Sequence, residues 1–149
     1  MSVEPVVRVA VTLDADAVIA LDASMRSAVS DQRGGEAWLH ENPPLADDPT
    51  FVGRCRVGVI DDVIVGFVVW RVRPERGGVI EVQRVHVTPE ARELGFGDAL
   101  LAAVISTGRD LGCALVEGHA LPGDRETKNL YERAGITARR ITVARSLSD

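Results

Sequence analysis

The spacing of hydrophobic positions changes several times along the chain, and each change marks an element. Val6 to Val11 is a valine-rich run that predicts a first strand. From Asp14 to Val29 the apolar residues Ala17, Val18, Leu21, Met25 and Ala28 recur at helical spacing. A short second helix is expected over Gly35 to His40, ended by Asn42-Pro43-Pro44, because proline cannot continue a helix. Phe51 to Ile60 and Val63 to Trp70 flank Asp61-Asp62 and read as a β-hairpin. Val79 to Val87 is another strand, stopped by Thr88-Pro89. Phe96 to Leu111 is the clearest helix: Leu100, Leu101, Val104, Ile105, Gly108 and Leu111 share one stripe, and Gly112 is a fitting stop. Cys113 to Gly118 reads as a strand, Arg125 to Ala134 as a helix closed by Gly135, and Ile136 to Leu147 as the last strand or strands. Hairpin strands followed by strands joined through helices predict an α/β chain. Its mixed sheet should be mostly antiparallel in the N-terminal half and flanked by helices. No repeat, low-complexity stretch or linker divides residues 1–149, so one domain is expected.

Composition narrows the function classes. Apolar residues make up 46% of the chain, with valine abundant, which suits an ordered globular protein rich in sheet. The net charge of −5 disfavours a nucleic acid partner, which would call for a basic surface. The first residues include Glu4 and no long apolar run, so neither a signal peptide nor a membrane span is expected there. Cys55 and Cys113 lie in no CxxC or Cys/His spacing. They read as two buried thiols with no metal, in a reducing, cytoplasmic setting.

The stretch VIEVQRVHVTPEARELGFGDALL, from Val79 to Leu101, holds two unusual devices. Ile80 and Val82 are apolar at even positions, whereas Val85 and Val87 are apolar at odd ones, and a regular strand cannot turn both pairs to one face. One surplus residue near Gln83-Arg84, a β-bulge, would restore the pattern, splay the strand from a neighbour and free backbone groups for a ligand. The alternative is a strand partly buried on both faces. The second device is Arg92-Glu93-Leu94-Gly95-Phe96-Gly97, leading straight into a helix. Glycines allow positive φ, and the first helical turn leaves N–H groups unpaired at the positive end of the dipole, a site for phosphate. There is no GxxxxGK[ST], and a dinucleotide fingerprint would need glycine where Leu100 stands. Downstream lies a third segment, Asn129-Leu130-Tyr131-Glu132-Arg133-Ala134-Gly135.

Strand, V-x-P-x-x-R-x-x-G-x-G, amphipathic helix, strand and L-Y-E-x-x-G, in this order, resemble the GNAT superfamily of N-acetyltransferases. The strong resemblance covers Val79 to Gly135, over a third of the chain, and the order of elements before it agrees coarsely. It implies a GNAT-like fold with a split central sheet and acetyl-CoA as acetyl donor, with no metal. The pantetheine arm would pair with backbone at Val85, His86 and Val87, and the pyrophosphate would sit on the amides of Arg92, Glu93, Leu94, Gly95, Phe96 and Gly97. Asn129 would be a further coenzyme contact. Tyr131 falls at the position of the family's frequent general acid and Glu81 where several members hold a general base, with His119 in reserve.

The implied function is direct acetyl transfer from acetyl-CoA to a primary amine in a ternary complex. The alternatives are a non-catalytic acyl-CoA-binding or regulatory module of the same fold, and a partner-binding domain whose glycines only make a turn. Two features depart from the family. Asp124 and Thr127 stand where many members have Asn and Ala, and only fourteen residues follow Gly135 where the family usually has two strands. The segment ITARRITVARSLSD would form one long strand, a tight pair, or a strand shared with a second subunit in a homodimer. Asp47 and Asp48 lie in a loop where the family's acceptor wall often forms, and would suit a cationic amine. The acceptor itself is not legible.

Overall fold

The computed structural model describes residues 4–148. Its elements, in chain order, are β1 (Val6–Val9), α1 (Ala15–Val29), α2 (Gly35–Glu41), β2 (Cys55–Ile60), β3 (Val63–Arg73), β4 (Val79–Val87), α3 (Phe96–Asp110), β5 (Leu115–Glu117) and α4 (Arg125–Arg133). They form a five-stranded sheet in the order β1-β2-β3-β4-β5. The first four strands pair antiparallel and β5 joins β4 in parallel. The expected mixed sheet with helices on its faces is what forms. Several boundaries differ. β1 stops at Val9, Phe51–Arg54 is a 3₁₀ turn rather than strand, β3 runs on to Arg73, and β5 is only three residues long. The largest difference is the C-terminal segment. Residues 136–148 form no strand, and residues 137–148 are exposed throughout. A strand needs a neighbour for its backbone groups, and here the segment has none.

The β2–β3 hairpin closes through Asp61 and Asp62, both left-handed (φ 48° and 66°), the geometry that matches the twist of paired strands. Two clusters form the core, one on each face of the sheet. Val18, Leu45, Phe51, Val57, Phe67 and Val69 pack on the side of α1. Val68, Trp70, Ile80, Val82, Leu100, Leu101, Val104 and Tyr131 pack on the side of α3 and α4.

β4 resolves its parity conflict as the sequence predicts. Arg84 pairs with Val69 and Val82 with Trp70, which leaves Gln83 as the surplus residue. Ile80, Val82, Val85 and Val87 then all turn to the α3 side. Arg84, displaced by the bulge, is almost wholly buried (5% exposed) against Asp22 of α1 (2%). Its Nη1 donates to Asp22 Oδ1 at 2.7 Å, its Nη2 donates to the Pro43 carbonyl, and its guanidinium lies 5.5 Å from the centre of the Trp38 ring. The other Asp22 oxygen accepts from the Leu45 amide at 2.9 Å. Gln83 accepts from Arg54 at 2.6 Å, and Arg54 also holds Asp48 at 2.7 Å. The two bulge residues therefore tie α1, α2 and the loop 42–54 to β4.

A buried charge that loses its partner is costly, whereas replacing both partners by apolar groups is often nearly neutral. Asp22→Ala is expected to destabilise the fold by about 3–5 kcal/mol, and the Asp22→Leu/Arg84→Met double variant to recover most of that. Urea unfolding of the single and double variants measures both effects, and a near-additive result would contradict the pairing.

Candidate active site

β4 and β5 pair only at Val79–Leu115, Ile80–Val116 and Glu81–Glu117. Beyond that point β4, from Val82 to Val87, has no strand partner on the β5 side among the described residues. The sheet thus splits immediately after Glu81.

Glu81 lies at the apex of this split and is 5% exposed. Arg71, directly opposite on β3, donates to one carboxylate oxygen at 2.8 Å, and Arg73 donates through Nε to the other at 2.5 Å. His119 Nε2 is 3.5 Å from the same carboxylate. Burial opposes the charge of Glu81, but the hydrogen bonds and charges of Arg71 and Arg73 outweigh it and hold the carboxyl below the usual glutamate range.

Tyr131 reaches the split from α4. Its ring lies so close to the backbone at Gly118 that a Cβ there would fall 2.4 Å from Cζ and 2.6 Å from the hydroxyl oxygen. Only glycine fits beneath the ring. Burial pushes the phenol well above its ordinary pKa. The His119 backbone N–H pulls the other way, and the carboxylates of Asp124 and Glu81 add smaller upward contributions. The buried phenol is therefore held towards its neutral form. The helix that carries it is capped by Asp124, whose side chain accepts from the Thr127 amide at 3.1 Å and the Thr127 hydroxyl at 2.7 Å. The Asp–Thr departure from the family pattern thus serves as a cap.

At the other end of the split, Glu93 and Gly95 are both left-handed (φ 67° and 90°) and fold the loop onto α3. The first intrahelical bond of this turn runs from the Ala99 amide to the Gly95 carbonyl, and no side chain caps the helix. The first-turn amides are therefore available to an anion. The two glycines differ in role. Gly95 supplies the left-handed cap, whereas Gly97 makes room for Leu130 of α4, which a Cβ would approach at 3.0 Å. Phe96 is core, so only its backbone faces outward. Arg92 bridges the loop to both neighbours, donating to the Val87 carbonyl at 3.2 Å and pairing with Glu126 at 3.1 Å. Glu93 and Asn129 are exposed. The His86 side chain packs beside Phe67, and burial lowers its pKa.

The structure thus brings Glu81, His119 and Tyr131 together, with the Arg92–Gly97 loop along the same split. Asp48 is already engaged by Arg54 and Thr50, so it is not a free acid for a cationic acceptor. Sequence reading missed Arg71, Arg73, Asp22 and Arg84. Asp22 follows Val18 by one helical turn on the apolar stripe, and Arg84 interrupts an apolar strand; both are signals of a buried partner. Cys55 is buried, with its thiol pushed up to about 12, and Cys113 is half-buried; both are free. Among the described residues no group of three or more His, Cys, Asp or Glu could hold a metal, and no helix is long and apolar enough to cross a membrane.

The sequence model of the acetyltransferase (GNAT) family matches residues 20–136. None of the curated proteins matches the chain. Solved structures do, at low identity. An aminoglycoside N-acetyltransferase, AAC(6')-Iy, in complex with a bisubstrate analogue is 18% identical, with a TM-score of 0.73 over 98% of this chain and 100% of that one. A ribosomal-protein-alanine N-acetyltransferase from Brucella melitensis biovar Abortus 2308 is 19% identical, with a TM-score of 0.70 over 99% and 100%. An acetyltransferase from Trypanosoma brucei is 21% identical, with a TM-score of 0.67 over 97% and 100%. At these identities the likeness is one of fold.

Two measurements check the site geometry. Tyr131 is the sole tyrosine, so absorbance at 295 nm reports its ionisation alone. It should stay flat past pH ~10, where a free phenol titrates, and Gly118→Ala should bring the transition down towards that value by dislodging the ring. The second concerns Glu81. Because its folded-state pKa is depressed, its ionised form stabilises the fold above the unfolded value of 4.5, and that stability is lost as pH falls through the lower folded value. Urea midpoints measured from neutral to acid pH should fall less steeply for Glu81→Gln than for the parent protein. Parallel curves would mean that the carboxylate is not held as described.

Proposed function

The chain belongs to the acetyltransferase (GNAT) family, and on that footing we propose that it transfers the acetyl group of acetyl-CoA directly to a primary amine, with both substrates held in the split between β4 and β5. The observation that carries this reading is the convergence of the Tyr131 hydroxyl, His119 and the Glu81 carboxylate where that split opens.

The residues present fit the coenzyme. The uncapped amides at the start of α3, reached through Arg92, Glu93, Leu94, Gly95, Phe96 and Gly97, would hold its pyrophosphate. The unpaired side of β4 at Val85, His86 and Val87 would take the pantetheine amides as a neighbouring strand would. Asn129, exposed on α4, would be a lateral contact. When bound, acetyl-CoA supplies an activated thioester.

The protein's own groups then divide the proton work. An amine at neutral pH is mostly protonated and must lose a proton before it can attack. Glu81, committed to two guanidiniums, is a weaker base than an ordinary carboxylate. We assign the proton acceptor to His119, whose exposed side chain lies 3.5 Å from the Glu81 carboxylate, and give Glu81 the role of orienting its imidazole or a water beside it. Tyr131 holds the proton that the departing sulfur takes up. A β4 amide near Val87 would stabilise the developing oxyanion. Much of the acceleration follows from holding amine and thioester together.

Calorimetric titration with acetyl-CoA, beside free CoA and a Gly95→Glu variant, tests the coenzyme site. Binding that the variant abolishes is expected, and no binding at millimolar coenzyme would overturn the reading. With an amine acceptor found by thiol release, Tyr131→Phe should lower turnover by about 10²-fold while leaving coenzyme affinity unchanged. Unaltered turnover across pH would remove Tyr131 from the role of acid.

A further inference from the structure

The face of the sheet that α1 covers changes character along its length. On β3 the residues of that face are Phe67 and Val69, both in the core, and then Arg71 and Arg73. On β4, Glu81 stands opposite Arg71. The apolar floor thus gives way to a charged one where the sheet splits. The Arg71 and Arg73 side chains are 43% and 41% exposed and that of Glu81 only 7%, so the guanidiniums meet solvent and the carboxylate does not. The loop after β5, which carries His119, crosses on this same face. A Cβ at Gly34, in the turn between α1 and α2, would stand 3.5 Å from Leu121 of that loop.

Two guanidiniums offer more donors than Glu81 uses. Its oxygens take one nitrogen from each, Nη2 of Arg71 and Nε of Arg73. The remaining nitrogens of both side chains make no hydrogen bond among the described residues. Arg71 Nε is also shut from water, a buried donor without an acceptor. Glu75 lies 3.7 Å from Arg73 Nη1 but is 58% exposed, where water screens it. The next arginine, Arg76, is held by Glu117 at 2.7 Å. Arg71, Arg73 and Glu81 together carry one more positive charge than negative.

A simple amine enters as a cation and would add to that excess. An amine that also bears a carboxylate would not, and its anion would supply the acceptor that the spare guanidinium nitrogens lack. The spacing is short. His119 Nε2 and Arg71 Nη2 reach the same Glu81 oxygen, at 3.5 Å and 2.8 Å. Amine and carboxylate must therefore sit close together in the acceptor, as they do when one carbon bears both.

We propose that Arg71 and Arg73 are specificity residues that bind the carboxylate of the acceptor, and that the acceptor is a free α-amino acid whose amine lies at His119. This rests on the acetyl-transfer reading above. The C–N bond forms as the C–S bond breaks, and the ammonium gives up two protons in all. One leaves through His119, and the other makes good the proton that Tyr131 passes to the sulfur. The products are the CoA thiol and an N-acetyl amino acid.

Thiol release from acetyl-CoA is measured with each standard L-amino acid that has a primary amine, beside its α-amide and beside spermidine. The amide keeps the amine and removes the anion. The best amino acid is expected to exceed its own amide by about 10²-fold in kcat/KM, and spermidine to be poorer still. Arg73→Gln should narrow the acid-to-amide ratio by about tenfold through KM, and Arg73→Lys should restore part of it. The ratio cancels any loss that the variant causes at Glu81, because acid and amide share that loss. An amide or spermidine acetylated as well as every amino acid would overturn the proposal and leave acetyl transfer standing, as would an acid-to-amide ratio that Arg73→Gln does not move. Thiol release with none of these amines would overturn the acceptor class and count against the transfer reading as well.

Discussion

Gln83 is one residue more than β3 can pair with, and the geometry of the candidate active site follows from where that surplus is placed. The bulge brings four apolar side chains of β4 to one face of the sheet, so α3 can lie flat against them. It also turns Arg84 to the opposite face, where the guanidinium meets Asp22, the Pro43 carbonyl and the Trp38 ring. Without the bulge, either Ile80 and Val82 or Val85 and Val87 would face the wrong layer. With it, both core clusters close and the strand bends away from β5.

The same bend explains the electrostatics at the split. Glu81 is the last β4 residue in register with β5, and Arg71 and Arg73 reach it from the neighbouring strand. A carboxylate buried to this extent would rise in pKa if left alone; two guanidiniums reverse the sign. Tyr131 has no such cation, and burial shifts it upward against the pull of the His119 backbone N–H. The two acidic groups are thus driven in opposite directions, Glu81 towards its anion and Tyr131 towards its neutral form.

Much of this was legible in the sequence. The parity break between Val82 and Val85 pointed to the bulge, and the helical stripe from Leu100 to Leu111 pointed to α3, because both are local patterns. The links that fix the site join residues far apart. Asp22 and Arg84 are 62 positions apart, and the pairing of Arg71 with Glu81 depends on a register no single strand encodes. The final segment shows the converse. The sequence led to a strand over Ile136 to Leu147, yet residues 136–148 form none, because a run of apolar residues does not by itself supply a neighbour for the backbone to pair with.

The contact between Gly118 and Tyr131 has a historical consequence. A side chain at 118 and an aromatic ring at 131 exclude each other, since any Cβ would penetrate the ring. The two positions cannot drift independently. A lineage leaving this arrangement must first shrink residue 131 and only then enlarge residue 118, while one acquiring the phenol must take the steps in the reverse order. The order of steps through sequence space is fixed at that pair, and glycine at 118 is the gate.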